Sequence, residues 1–270
     1  MKTYYLPILY IILSSLFTSC SPQFYAPTTA MTPLFREKGE TQLSGHIGSG
    51  DEIDRIIQIQ GACAIDSHLA ILGTLYTAES SYHNNAPISV NAGKGSQVEI
   101  AMGYYKPISP GLSYELYGVL ALGEVKNNFE KKYSSFSLAT TKFEPIVTTN
   151  KCFKPFVQAN MGYRSKYFDA AFNMRIGFLH IGAITETTPS LDTSFKSPPV
   201  QSLEKIKSNP NSFLIEPGFT IRCGYEPIKL QLHLGKSFSS NGSNYPIDGT
   251  VLTLGIVGMI NSSTVKNKRH

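Results

Sequence analysis

The sequence predicts an all-β protein, an antiparallel up-and-down transmembrane β-barrel of about ten strands with a polar interior. Three observations predict this fold. Apolar residues recur at every second position from Thr41 onward, most of the periodic runs are about ten residues long, and short and long connections alternate along the chain. Globular strands usually have about five or six residues, whereas a tilted strand that crosses a bilayer needs about ten.

Residues 1–19 have the properties of an export signal peptide. Lys2 precedes the apolar run LPILYIILSSLF, which is too short to span a membrane as a helix, and small residues precede Cys20. The sequence at Cys20 resembles the lipobox of bacterial lipoproteins, although Phe17 stands where leucine is commonest. That resemblance implies that Cys20 becomes the lipid-modified, palmitate-bearing first residue of the mature chain. Ordinary secretion, with Cys20 incidental, is the alternative.

The chain from Cys20 onward divides into three parts. Residues 20–40 predict a lipidated N-terminal tether, because this stretch contains prolines and has no sustained period. Residues 41–260 form the predicted barrel domain, and residues 261–270 form a polar basic tail. The ten predicted strands are 41–48, 54–65, 68–78, 97–106, 112–125, 153–163, 167–182, 213–223, 228–237 and 250–260.

The connections predict which rim of the barrel faces outward. Four short connections carry turn-forming residues, at 65–67, 107–111, 164–166 and 224–227. Long polar stretches alternate with them at 79–96, 126–152, 183–212 and 238–249, with a shorter one at 49–53. Outer-membrane barrels have short periplasmic turns and long outer loops. An even number of strands places both chain ends on the short-turn side, where a lipid on Cys20 would reach the inner leaflet. The segment SLEKIKSN also predicts a short helix that begins at Ser202.

The two faces of the strands differ in composition. In YFDAAFNMRIGF, residues 167–178, an apolar row alternates with Asp169, Asn173 and Arg175. The polar rows mix amides, glycines and opposite charges, which fits a narrow wet interior where charges pair with one another. The apolar rows are therefore predicted to face lipid. The expected interior polar network consists of Glu99, Glu115, Asp169, Arg175, Glu216, Arg222, Lys229 and His233.

Aromatic residues gather at the short connections and predict a girdle at a membrane interface, with packing within the sheet as the alternative. They are Tyr104, Tyr105, Tyr114, Tyr163, Tyr167, Phe168 and Tyr225.

Three stretches carry a resemblance to a known family: CSPQFYAPTTAMTPLFREKGETQLSG, GYRSKYFDAAFNMRIGF and FLIEPGFTIRCGYEPIKLQLHLG. With these, the chain resembles the Bacteroidetes-type outer-membrane β-barrel proteins that begin as lipoproteins. The resemblance implies a porin-like barrel and an outer-membrane location, and it implies no established activity. Many such barrels end on an aromatic residue in the last strand, whereas here Ile260 precedes a polar tail.

Charge and motifs argue against several classes of protein. The net charge is +5, but lysine and arginine are scattered among acidic residues, so no nucleic-acid partner is expected. There is no CxxC, and AGKGS at 92–96 lacks the Walker spacing, so no metal or cofactor is expected.

Three cysteines follow Cys20, and one disulfide between two of them is possible. Cys63 and Cys223 occupy apolar strand positions and are expected to pack, as small hydrophobic residues do.

The sequence contains no catalytic motif and predicts a non-enzymatic protein. We expect a structural or binding role through outer loops 79–96, 126–152 and 183–212, with membrane lipid and an unidentified protein or ligand as partners. Low or no steady conductance is expected, because wide aqueous pores need about sixteen strands. Two alternatives remain open. One is a soluble lipid-tethered β-barrel that binds an apolar ligand inside, and the other is a rim-active outer-membrane hydrolase that uses His46 or His180 with an aspartate.

Overall fold

Each strand pairs antiparallel with the strands before and after it in the chain, and pairing of the last strand with the first closes the barrel. This computed structural model describes Tyr25 and residues 27–51, 53–83, 90–134, 141–187, 198–241 and 249–261. The strands are β1 Glu40–Gly50, β2 Ile53–Ala64, β3 Leu69–His83, β4 Val90–Ser109, β5 Leu112–Ser134, β6 Thr141–Arg164, β7 Phe168–Thr187, β8 Asn211–Tyr225, β9 Ile228–Ser239 and β10 Gly249–Asn261. The predicted fold class is confirmed.

Three neighbouring strands, β4 to β6, are much longer than predicted, and the next strand, β7, is moderately longer. β4, β5, β6 and β7 have 20, 23, 24 and 20 residues. Much of the expected loops 79–96 and 126–152 is therefore strand. The pairing of β5 with β6 continues from Leu112 opposite Tyr163 to Ser134 opposite Thr141. Polar side chains do not end such a ladder, because its hydrogen bonds join backbone groups.

All four short connections lie at one end of the barrel, here called the short-turn rim; the other end is the long-loop rim. Of these four connections, the tightest join β4 to β5 and β8 to β9. Gly111 in the first of these has φ +95°, a conformation that glycine adopts without steric cost. Glu40 lies opposite Asn261, so β1 begins and β10 ends at the short-turn rim.

The predicted helix is present at the long-loop rim as α1, Pro198–Ser208. It begins at Pro198, four residues before the expected Ser202. Proline is favourable at the first helical position, because the N–H that it lacks would have no partner within the helix there. Among the helices of the described residues, none has the length and apolar character needed to cross a bilayer.

The apolar rows face outward, as predicted. In β7, Phe172 and Ile176 are 48% and 45% exposed, whereas Asn173 and Arg175 are 1% and 3% exposed. All ten strands repeat this arrangement, with exposed apolar side chains that include Ile47, Ile57, Leu75, Ile100, Leu120, Val157, Ile176, Phe219, Leu232 and Leu254. A continuous apolar belt of this kind is a lipid-facing surface, since a soluble barrel hides its apolar rows.

Charged pairs replace the apolar belt toward the long-loop rim. On the outer face, Glu79 pairs with Arg55 and, at 3.2 Å, with Lys94. Lys126 lies 3.3 Å from Glu124 on β5. These pairs mark the level at which the outer wall stops being apolar.

Aromatic side chains surround the short-turn rim. Tyr104, Tyr163, Tyr167, Phe168 and Tyr225 point outward and are 41–61% exposed. Tyr105 is the exception to the predicted girdle. Its side chain turns inward, because alternation places it on the face opposite Tyr104, and its hydroxyl donates to the Asp66 carbonyl at 2.7 Å.

Candidate functional site: the occupied lumen

The lumen of the barrel contains part of the chain that precedes β1. We call Tyr25 together with residues 27–35 the lumen segment. It was expected to be a tether, but its side chains are buried, including Tyr25, Thr28, Thr29, Ala30, Met31, Thr32, Leu34 and Phe35. The stretch from Ser21 to Phe35 has no charged residue, and it is rich in threonine and alanine, which fit a narrow space. Its prolines favour an extended chain without internal hydrogen bonds.

Barrel side chains satisfy the backbone of the lumen segment near its middle. The Thr29 N–H donates to Gln58 Oε1 at 3.0 Å, and Gln58 Nε2 donates back to the Thr29 carbonyl at 2.9 Å. Gln60 Nε2 also donates to that carbonyl, at 2.8 Å. An extended chain with no strand partner needs such contacts, because a buried backbone group without a hydrogen bond is costly.

Barrel side chains also bind the carbonyls of Met31 and Thr32. The Met31 carbonyl accepts from Gln158 Nε2 at 2.7 Å and from Asn160 Nδ2 at 3.1 Å. Arg222 Nη2 donates to the Thr32 carbonyl at 2.7 Å and to its Oγ1 at 3.0 Å. The wall therefore binds main-chain atoms of Thr29, Met31 and Thr32.

The lower end of the lumen segment is held at the short-turn rim. The Phe35 N–H donates to Glu115 Oε1 at 3.0 Å, and Ser113 Oγ donates to the Phe35 carbonyl at 3.3 Å. Arg164 Nη1 donates to the Leu34 carbonyl at 3.4 Å. The ring of Phe35 also lies in an apolar cluster that includes Met31, Tyr105, Tyr117 and Phe156.

An upper group of charges surrounds Tyr25 and Thr28. Lys154 Nζ lies 3.1 Å from Glu216 Oε2, and Tyr25 accepts from Lys154 and donates to Glu216 Oε1 at 2.6 Å. Arg175 lies 3.6 Å from Glu99, and both bind Thr28: Arg175 Nη1 donates to its Oγ1, and that hydroxyl donates to Glu99 Oε1, each at 2.7 Å. Each charge in this group therefore has an opposite charge as a partner.

A lower group of charges lies nearer the short-turn rim. Asp169 lies 2.6 Å from Lys229 and 3.8 Å from Arg222. Arg164 pairs with Glu40 and with Glu226, each at 3.0 Å. These contacts connect β1, β6, β7, β8 and β9 through the interior.

All eight residues of the expected interior network lie buried on the lumen side of the wall. Seven of them take part in the charged groups or bind the lumen segment. His233 differs, because its described partner is the hydroxyl of Thr220 at 2.8 Å. Sequence reasoning missed Lys154 and Glu40. Lys154 could have been found, because it is four residues from Gln158 on β6 and therefore lies on the same face of the strand. It also missed Gln58 and Gln60. It placed Gln158 and Asn160 in the interior polar rows, but it did not predict that they bind the lumen segment.

The two histidines considered for a hydrolytic site lie on opposite faces of the wall. His46 is 2% exposed and faces the lumen, where its Nε2 lies 2.9 Å from Ser44 Oγ. His180 points outward and contacts Asn211 at 2.8 Å. These contacts are with a serine and an asparagine, so neither is the expected pairing of a histidine with an aspartate. Within the described ranges there is also no cluster of three or more metal-ligating side chains.

Cysteine positions agree only in part with expectation. Cys63, Cys152 and Cys223 are free thiols. Cys152 is buried in a cluster with Tyr25, whereas Cys223 is exposed on the outer face. Cys20, the expected lipid-attachment residue, lies outside the described residues, as do the export signal and residues 262–270.

α1 packs onto the upper end of the lumen segment. Leu203 and Ile206 of the helix join Tyr25, Leu179 and Ile181 in one buried apolar cluster. The helix has lysines in its last turn, where positive charge is favourable. The contact fixes Tyr25 against elements of the long-loop rim.

The fold and its interior define a class of protein: a membrane-spanning β-barrel whose lumen is occupied by its own N-terminal chain. The soluble-barrel alternative is contradicted, because the apolar rows point outward.

No protein-family model matches the chain, and no curated protein sequence matches it. Solved structures that resemble it include the translocator domain of autotransporter NalP from Neisseria meningitidis, with 11% identity, TM-score 0.45, and coverage of 82% of this chain and 86% of that one. Another is the outer membrane protease OmpT from Escherichia coli, with 7% identity, TM-score 0.45, and coverage of 86% and 97%. LpxR from Salmonella typhimurium has 8% identity, TM-score 0.39, and coverage of 80% and 99%. At these values none of them assigns an activity to this chain.

Proposed function

We propose that this protein is an outer-membrane β-barrel lipoprotein, closed to diffusion, with a structural or binding role at its long-loop rim. The observation that carries the proposal is the lumen segment, which occupies the interior from the level of Lys154 to that of Glu115. A ten-strand barrel has little interior space beyond its own side chains. The segment and the paired charges occupy this space in the described part of the chain, which supports a barrel closed to diffusion.

Binding at the long-loop rim is supported by the height of the wall there. β4 to β7 continue beyond the level of the Lys126–Glu124 pair, where the outer face is no longer apolar. Paired strands are a rigid platform, and rigid platforms that carry loops are common binding surfaces. An unidentified protein or ligand would bind there, and membrane lipid would cover the apolar belt.

Location in an outer membrane is supported by the closed barrel and by the export signal. Bacterial barrels of this construction reside in outer membranes. The lipobox resemblance at Cys20 supports a lipid anchor, as in the Bacteroidetes-type proteins that the chain resembles. The anchor holds the mature N-terminus at the membrane.

Fractionation combined with gel migration tests the location. We expect the protein in the outer-membrane fraction, with a band that shifts on boiling, because folded barrels resist detergent until heated. Recovery from the soluble fraction without a heat-dependent shift would contradict the proposal.

Planar-bilayer recording tests whether the barrel is closed. Purified protein is expected to give no stable channel, and large steady conductance would refute a closed barrel.

A further inference from the structure

The lumen segment runs through the barrel in one direction. Phe35 binds Glu115, three residues after β5 begins at the short-turn rim. The Met31 carbonyl accepts from Gln158, which lies two residues farther from that rim along β6 than Asn160, the residue opposite Glu115. Tyr25 binds Lys154, which lies ten residues before β6 ends at Arg164. Earlier residues of the segment therefore lie progressively closer to the long-loop rim.

Packing around Tyr25 is independent evidence that this end of the lumen segment lies near the long-loop rim. Its ring belongs to a cluster with Leu203 and Ile206 of α1, a helix in the connection between β7 and β8. That connection leaves the barrel at the long-loop rim. Hydrogen bonds to the wall and apolar contacts to the helix thus agree on the level of Tyr25.

Chain length prevents the preceding residues from returning to the other rim. The ten residues from Lys154 to Arg164 rise about 3.3 Å each, which corresponds to about 25 Å of barrel height at a tilt of about 40°. Cys20 precedes Tyr25 by five positions, which fully extended span at most about 18 Å. The lumen below Tyr25 is also already filled by residues 27–35.

We propose that the chain upstream of Tyr25 leaves the barrel at the long-loop rim, so that Cys20 lies on the same side of the membrane as the long loops. A lipid on Cys20 then inserts into the outer leaflet. The even number of strands alone had indicated the inner leaflet, so this inference reverses that expectation. The barrel thus carries its own lipidated N-terminus to the cell surface. This inference rests on the proposed insertion in the outer membrane.

Site-specific labelling of intact cells tests the proposal. The starting variant replaces Cys63, Cys152 and Cys223 by serine, and a membrane-impermeant maleimide is the probe. Three single cysteines are then introduced: Ser21→Cys upstream of the lumen segment, Lys207→Cys on α1, and Lys166→Cys in the turn between β6 and β7. The starting variant without an added cysteine measures any reaction at Cys20.

We expect Ser21→Cys and Lys207→Cys to react to a similar extent in intact cells, whereas Lys166→Cys reacts at least about tenfold more after the outer membrane is permeabilised. If Ser21→Cys instead follows Lys166→Cys, the inference is overturned while the barrel proposal stands. Equal reaction of Lys207→Cys and Lys166→Cys in intact cells, without heat-dependent migration, would refute membrane insertion itself, and the inference with it.

Discussion

Lys154 and Glu216 form an ion pair of 3.1 Å inside the barrel, with side chains only 2% and 6% exposed. They project from β6 and β8, on either side of β7, and both bond the hydroxyl of Tyr25. One pair therefore joins two strands to the lumen segment. Its energetics differ from those of an exposed pair, because neither charge retains water.

Breaking this pair on one side should destabilise the barrel strongly. Glu216→Ala leaves the Lys154 ammonium buried without its carboxylate, and we expect a loss of about 3–5 kcal/mol in the free energy of unfolding. The double variant Lys154→Met with Glu216→Gln should recover most of that loss, because no unpaired charge remains. Urea titration of the barrel in lipid vesicles gives both values.

The exposed pair between Lys126 and Glu124 is the matched control. Its side chains are 62% and 37% exposed, and its N–O distance of 3.3 Å is similar. Glu124→Gln should cost no more than about 1 kcal/mol, since water screens exposed pairs. Equal costs at the two sites would show that Glu216 is solvated, contrary to the described burial.

Gly162 provides the space that Leu34 occupies in the lumen. A Cβ at this position would lie 2.8 Å from Leu34 Cδ2 and 2.7 Å from the Ala170 carbonyl oxygen. Gly162→Ala should therefore cost about 1–3 kcal/mol of stability. Gly45→Ala is the control, because nothing lies within 4 Å of a Cβ there, and it should be neutral or stabilising by up to about 1 kcal/mol. Chemical unfolding of both variants makes the comparison, and a neutral Gly162→Ala would show that the segment does not pack against β6.

The apolar belt predicts an unusual response to surface charge. Ile100 is 62% exposed, and on a soluble protein an arginine there would have little effect. In a bilayer, Ile100→Arg should cost about 2–4 kcal/mol, as expected near the midplane. Ser96→Arg lies on the same face of β4, beside the charged pairs, and should cost less than about 1 kcal/mol. Unfolding in vesicles measures the two costs, and equal small costs would contradict a lipid-facing β4.

Removal of the lumen segment should open a narrow path. Deletion of residues 27–35 takes away the chain that Gln58, Gln158 and Arg222 bind, and their polar side chains then line a water-filled interior. We expect small but measurable single-channel conductance in planar bilayers. Deletion of residues 262–270 is the control and should leave the barrel closed. A folded, heat-modifiable barrel without residues 27–35 that still fails to conduct would show that wall side chains alone close it.

Local alternation predicted the wall well and the interior contacts poorly. Period two placed Phe172 outside and Arg175 inside, because neighbouring side chains of a strand point to opposite faces. The same rule places His46 on the lumen side of the wall and His180 on the outer side. The partner of each buried charge was not predictable, since Glu216 meets Lys154 only through the register of three strands. Strand ends were underestimated where polar sequences such as 126–134 continue the ladder of β5.

By itself the sequence determined the number of strands, their lipid-facing rows, the rim that carries the short turns and the short helix near Ser202. Each of these follows from local spacing, hydropathy and turn chemistry. Only the tertiary structure decided where residues 27–35 lie, because an uncharged, proline-containing stretch has no periodicity of its own. Its position depends on hydrogen bonds from side chains far away in the chain, such as Arg222 to Thr32. Those donors converge only after the barrel closes.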